Sequence, residues 1–486
     1  MKTNRFSLFG LLAILGGGCA VGPNYHPPAV NVPAQWASPL AGGETNSPTV
    51  DAAWWKSFHD PELDSLITRA VLSNLNLRVA EARVREARAQ RSVVAADFWP
   101  SADVSGSYTR NRLSQHGYLA TLLPPGAPID YNLYEADFDA SWEIDVFGGT
   151  RRATEAANAE VAAAEFNRRD VLVSLLAEVA RNYIEARGFQ QRLAIAGRNA
   201  EAQKEALDIT RDRYRQGLTS DLDVQQASAL LTATEAQIPA LEILLKASIH
   251  RLGVLLGQPP GALLAELSGE APVPALPPEV PVDLPSDLLR RRPDVQRAER
   301  DLAAATARIG VATADLFPKF SLTGMAGLQS VSASDWLTGA SRLWTAGPTM
   351  QWRIFDAGRI RANVRVQNAR QQQALANYEQ TVLNSFEEVE NALVAYAKEQ
   401  VRFRSLEATV SADREAVAMA RDLYQNGLAD FLRVLDAERS LYRAEDELAQ
   451  SKRTMSLNLV ALYKALGGGW QTESIRGVPQ KVASWR

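Results

Sequence analysis

Between Leu375 and Tyr424 the chain places an apolar side chain at nearly every third or fourth residue. The series runs Leu375, Tyr378, Val382, Phe386, Val389, Leu393, Tyr396, Gln400, Phe403, Leu406, Val410, Asp413, Val417, Ala420, Tyr424. Thirteen of these fifteen positions are apolar and their mean spacing is 3.5, which is the seam of a coiled coil and narrower than the stripe of a globular surface helix. The 68 residues between Gly358 and Gly427 contain no Gly or Pro and are rich in Ala, Glu, Gln and Arg. They predict one helix roughly 100 Å long at about 1.5 Å per residue. A second proline-free run continues from Gly427 to Leu466. The stretch "YQNGLADFLRV" is therefore predicted to be the turn of a long antiparallel hairpin, with Gly427 supplying the left-handed conformation a helix end needs.

The same turn stands 210 positions earlier. "RDRYRQGLTSDLDVQQA" and "RDLYQNGLADFLRVLDA" agree at eight of seventeen positions. A first hairpin is predicted from about 150 to 252 with its turn at Gly217, and Gly188, Gly197 and Pro239 are its weak points. The duplication reaches further: segment 79–100 matches 297–318 at eight of twenty-two positions, sharing an Ala-Asp-x-x-Pro ending, and Trp142 answers Trp352. Two copies of one unit are separated by the Pro-rich stretch 271–285.

Between the helical parts the period changes to two. From Tyr134 to Val146 the even positions are Tyr, Ala, Phe, Ala, Trp, Ile and Val, while the odd ones include Glu135, Asp137, Asp139, Glu143 and Asp145. This pattern predicts a strand with one apolar and one acidic face. Segment 101–110 alternates similarly, with 123–132 as a loop; 320–329 and 343–354 form the equivalent pair around a loop near 332–342. Strands of about ten residues suit a tilted transmembrane strand. Four cannot close a barrel, and lipid leaves no strand edge unpaired, so several chains must contribute: three would give twelve strands, four sixteen. An ordinary sandwich with one wet face is the plainer alternative. On the barrel reading, the acidic face either lines the lumen and biases the pore toward cations, or lies in part at the barrel's base.

The first eighteen residues fit export. Lys2 and Arg5 precede the apolar run Phe6–Leu15, which is too short to span a bilayer. The segment closes on "LGGGC", similar to a bacterial lipoprotein signal in which cleavage leaves Cys19 lipidated; Gly16 stands where that signal usually has Leu. Ala20 rather than Asp follows, which by the same resemblance favours the outer membrane. A plain secretory signal with an incidental cysteine is the alternative. Residues 20–50 carry six prolines and no periodicity, as an extended linker does. The predicted layout is a signal peptide over 1–18, a lipidated linker over 19–60, a first repeat over 61–270, a second over 271–470 and a tail over 471–486.

Composition removes several classes. A net charge of −4 and the lack of a basic stripe with interleaved aromatics give no footprint for nucleic acid. Cys19 is the only cysteine, and His26, His59, His116 and His250 lie far apart, so no disulfide and no metal or other cofactor is expected. No paired nucleophile and base and no phosphate loop is present, which points away from an enzyme.

The segments "WWKSFHDPELDSLITRAVLSNLNL" and "LLRRRPDVQRAERDLAAATARIGVATADLFPKFSLTG", with the repeated "Y..GL...L.V", resemble the TolC-like outer-membrane channels, in particular the lipoprotein branch serving resistance-nodulation-division pumps. The resemblance covers about 19 to 470. It implies an α+β membrane channel: a homotrimer with a 12-stranded β-barrel, four strands per chain, continued by a long periplasmic α-helical barrel. It also implies an exit duct for small molecules, docked at its periplasmic tips, around Gly217, Leu218, Gly427 and Leu428, to an adaptor protein and an inner-membrane pump. In that branch the tip of the last helical pair closes the resting channel with a Leu ring and an Asp ring supported by an Arg, which fall here on Leu432, Asp436 and Arg439. The first copy has Leu222, Gln226 and Ala229 instead. Asp436 and Arg439 stand at i, i+3, a spacing that permits pairing. Two other readings stay open: the same duct carrying metal ions or an exported protein, and a periplasmic coiled-coil scaffold without a pore. Trp54, Trp55 and the "RRRPDV" block are expected to be structural, with a helix starting at Pro293 and Asp294 in its first turn.

Overall fold

Each copy builds two helices, a pair of strands and a long helical hairpin, the return limb of the first hairpin being split in two. A computed structural model describes residues 20–38, 44–45, 52–277, 280–282 and 284–471. Helix α1 (Pro61–Ser73) begins on Asp60, whose carboxylate accepts the backbone N–H groups of Glu62 and Leu63, with Pro61 in the first turn. Helix α2 (Leu75–Ala96) leads into strands β1 (Ser101–Arg112) and β2 (Asp130–Ile144), and these into α3 (Gly149–Arg215), α4 (Asp221–Glu235) and α5 (Gln237–Leu255). After α6 (Pro285–Arg291) the second copy supplies α7 (Pro293–Ala314), β3 (Lys319–Ser330), β4 (Arg342–Gln351), α8 (Arg359–Gln425) and α9 (Phe431–Ala465).

The duplication is visible in individual bonds. The Trp142 indole donates to the carbonyl of Phe98 at 2.9 Å, and the Trp352 indole donates to the carbonyl of Leu316 at 3.1 Å. Each long helix also starts on a carboxylate just before it. Asp145 accepts the backbone N–H groups of Thr150 (3.2 Å) and Arg151 (2.9 Å), and Asp356 accepts those of Gly358 and Ile360 (both 2.9 Å). Asp145 therefore does not belong to the acidic strand face: β2 ends at Ile144, and the free N–H groups of the helix terminus take the carboxylate instead.

Helix α8 has the predicted bounds within one residue, and no seam position is exposed. Gly188 and Gly197 leave α3 unbroken. At Gly188 the missing side chain makes room for the Arg453 stem, which would lie within 3.1 Å of a Cβ there. Pro239 falls in the first turn of α5, where its missing N–H has no intrahelical partner to lose, so the break comes at Ala236 between α4 and α5.

The four strands form one antiparallel sheet in the order β1-β2-β3-β4, so the two repeats meet at β2 and β3. The loop expected over 123–132 is shorter than its Pro and Gly content suggested, because Asp130, Tyr131 and Asn132 already pair with Arg112, Asn111 and Arg110. In every pair the registers join even residues to even and odd to odd. The even face carries Val104, Tyr108, Phe138, Leu322, Trp344 and Met350, all exposed; the odd face carries five of the six strand carboxylates, and Asp130 stands on the even face at the loop end, 3.7 Å from Arg112.

The described residues divide into two compact units, each assembled from both repeats. One holds the sheet with residues 20–28, 84–163 and 298–378; the other holds 29–38, 44–45, 52–83, 164–277, 280–282, 284–297 and 379–471. The core of the second is large. Trp54, Trp55 and Phe58, inside the segment read as linker, are buried there, and Trp54 stacks on Tyr463 with centroids 5.2 Å apart. The expected structural role of "RRRPDV" is met by Arg292, whose guanidinium bonds both oxygens of Asp294 (3.0 and 2.6 Å), the Glu388 carboxylate (2.7 Å) and the carbonyl of Ala465 at the end of α9 (3.0 Å). Residues 20–25 have no regular structure but are fastened. Arg152 donates to the carbonyls of Val21 (3.1 Å) and Gly22 (3.3 Å) and to the side-chain oxygen of Asn24 (2.7 Å). The signal segment 1–18 and Cys19 lie outside the described residues, as do 472–486 of the tail.

Candidate functional site

Both hairpin turns follow from the same local chemistry. At the first, Gly217 N–H bonds the carbonyl of Tyr214 (2.9 Å) and Leu218 N–H bonds that of Arg213 (2.9 Å); at the second, Gly427 bonds Tyr424 (3.0 Å) and Leu428 bonds Leu423 (2.8 Å). This is the Schellman closure of a helix, and it requires the φ of +74° found at both glycines. Shortly afterwards each return helix is capped, by Ser220 with Asp223 in a capping box and by Asp430 accepting Arg433 N–H. The bend thus satisfies its own backbone and leaves its side chains outside. Leu218, Leu222, Leu428 and Leu432 are 62, 64, 75 and 47% exposed. An apolar cluster of Leu207, Val224, Ala227, Tyr424, Phe431, Val434 and Leu435 holds the two tips together beneath them. Arg213 of α3 lies over the ring of Tyr424 of α8 at 4.5 Å.

Along α9 the predicted residues Leu432, Asp436 and Arg439 lie on one exposed face. The expected i, i+3 pair is not made: among the described residues, neither Asp436 nor Arg439 has an ion-pair partner within the chain. Arg439 lines a groove with Asn199, Leu230, Tyr442 and Asp446 instead. A residue between them was not singled out by sequence. Glu438 is 1% exposed, and its Oε1 accepts from Nε (3.0 Å) and Nη2 (2.7 Å) of Arg421 on α8. Burial pushes the Glu438 carboxyl up, and the two Arg421 bonds pull it partly back. A heptad reading of α9 as well as α8 would have shown a charge at a core position, which is the available signal for such a pair.

On the odd face of the sheet Asp103 stands directly opposite Asp139, with Glu135, Asp137 and Glu143 along the same strand. Lys319 reaches Glu143 at 3.6 Å. Among the described residues no group of three or more His, Cys, Asp or Glu is arranged to hold a metal ion. No described helix is long and apolar enough to cross a membrane.

The family model for outer membrane efflux proteins matches residues 66–258 and 284–468. The chain belongs to that family. Nodulation protein T of Rhizobium leguminosarum bv. trifolii is 31% identical over 98% of this chain and 100% of that protein. The toluene efflux pump outer membrane protein TtgC of Pseudomonas putida is 33% identical over 97% of each. The solved outer-membrane channel OprN superposes with a TM-score of 0.87 at 40% identity, over 93% of this chain and 100% of that one. The protein is an outer-membrane efflux component with the fold of these channels, as the repeated hairpins and the two-faced sheet had indicated.

Proposed function

We propose that three copies of the chain close one 12-stranded barrel and one helical tube, forming the exit duct of a tripartite efflux system. The observation that carries this reading is the sheet: its even face is apolar except at the loop end, where Arg110, Arg112, Asp130 and Arg342 gather, its odd face is mostly polar, and its outer strands β1 and β4 have unpaired edges among the described residues. Lipid accepts such a sheet only when the edges are joined, and antiparallel joining of β4 to the next copy's β1 does this without a change of face. Asp103, Glu135, Asp137, Asp139 and Glu143 then line the lumen and favour cations. The anchor is Cys19, lipidated after removal of 1–18. The exposed leucines of the tips, with Gly217 and Gly427 setting their turn, are the docking surface for a periplasmic adaptor, which couples the duct to an inner-membrane pump.

Leu432 and Asp436, with Arg439, ring the aperture at the tip. Three carboxylates around a narrow axis hold cations, and the leucines occlude. The duct conducts passively, so the pump chooses the cargo; relatives of similar identity carry names as unlike as nodulation protein and toluene efflux protein. Small organic molecules are the cargo this reading favours. Replacing Leu432 and Asp436 together by Ala is expected to raise single-channel conductance in a planar bilayer, and an unchanged conductance would remove both residues from the aperture.

A further inference from the structure

The two hairpins differ in one buried contact as well as in their exposed faces. At the position 210 residues before Glu438 the first copy has Ser228, while the counterpart of Arg421 is still an arginine, Arg211. Arg211 turns to Asp208 on its own helix at 3.4 Å, an exposed pair. Only the second hairpin therefore ties its two helices through a fully buried carboxylate at this level.

The location of that tie matters because of helix geometry. Successive residues are about 100° apart, so Glu438 points roughly 160° from Asp436, 120° from Leu432 and 100° from Arg439. Its neighbours on the buried face, Val434, Leu435 and Leu441, make non-directional contacts that a turn of the helix can exchange for similar ones. Two charge-assisted bonds to one oxygen are directional and short. Of the other polar contacts between α8 and α9, Arg414 with Glu445 (2.7 Å) and Ser440 with Asp413 (3.0 Å) lie nearer solvent, while the buried Ser451 with Glu399 (2.5 Å) and Asn458 with the carbonyl of Ala395 (3.1 Å) lie far from the tip.

We propose that Arg421 and Glu438 are a positioning pair: they fix the rotation of α9 about its own axis and so decide which side chains face the aperture. The proposal deepens the gate reading and rests on Leu432 and Asp436 forming that gate. The pair acts through those residues rather than on the cargo.

Glu438→Met tests it in the full-length protein, since Met fills the same space, removes the buried charge and leaves the half-exposed Arg421 able to reach water. The expected result is a protein that melts no lower than the parent yet is open roughly tenfold more often in a planar bilayer, equivalent to ~1.4 kcal/mol. A second readout follows the helix itself. Leu435 is 1% exposed, so the thiol of L435C is expected to resist a maleimide in the parent background and to react once E438M is added. Equal open fractions together with a still-protected L435C would overturn the proposal. If Leu432→Ala with Asp436→Ala leaves conductance flat while E438M exposes L435C, the gate reading falls and the rotational role stands. If the double alanine variant opens the channel but E438M changes neither readout, the positioning role falls and the gate stands.

Discussion

Replacing Arg292 with Ala is expected to lower stability by about 3–5 kcal/mol, the cost of breaking a buried ion pair from one side. Arg292 is 7% exposed, and its guanidinium serves four acceptor oxygens on three elements: both of Asp294 at the start of α7, one of Glu388 on α8 and the last-turn carbonyl of α9. Its removal leaves Asp294 ionised in a site that burial makes hostile to charge. In the parent, burial raises the Asp294 carboxyl but the Arg292 bonds outweigh it, so the net shift is downward. A depressed carboxylate contributes stability above its unfolded pKa and loses it as pH falls through the folded value. The penalty of the Ala variant should thus be largest at neutral pH and shrink below about pH 4, where Asp294 can protonate. Thermal unfolding of detergent-solubilised protein at both pH values checks this, and a penalty independent of pH would assign the loss to packing alone. Arg292→Lys should recover little, because one ammonium cannot hold both Asp294 oxygens in a fork and still reach Ala465.

Efflux is expected to vanish when Leu218 and Leu428 are both replaced by Glu, with drug resistance falling to that of a deletion strain. Neither residue supports the fold: both are well exposed, and each backbone N–H is already satisfied by the turn. The variant should therefore reach the membrane in normal amount and keep its oligomer on unheated electrophoresis. What it loses is apolar contact surface, replaced by up to six carboxylates around one opening if three copies assemble, and burying any of these against a partner costs desolvation. Preserved resistance would mean that the tips are not the docking surface.

The helices and strands were readable because their periods extend over many residues. Each position of the 375–424 seam is protected, and the alternation along β2 extends to its neighbours except at the loop end, where Arg110, Arg112, Asp130 and Arg342 fall on the even face. Boundaries were less readable where local composition misleads. Asp130–Asn132 follow a Pro-rich run yet join β2, since their ladder partners on β1 decide the matter. Asp145 continues the alternation by one residue after the strand has ended, and only the helix terminus beyond it explains its position. Pairings were the least readable. The i, i+3 spacing of Asp436 and Arg439 permits a contact, but Glu438, which binds an arginine seventeen residues back on the other helix, shows in the sequence only as a charge at a core heptad position, with nothing to name its partner. Composition likewise hid the fastening of residues 20–25, because Pro and Gly describe a chain without periodicity, not a chain without partners.

The common even-odd register of the four strands has a consequence for how this chain tolerates change. Loss or gain of one codon within β2 would turn the residues beyond it through the sheet, placing carboxylates against hydrocarbon and Phe138 or Trp142 in water. The same event in the loop over 113–129, which lies between strands already held in register, alters only the length of an exposed connection. Natural length variation among descendants of this gene should accordingly collect in the two outer loops and be nearly absent from the 49 residues of the four strands.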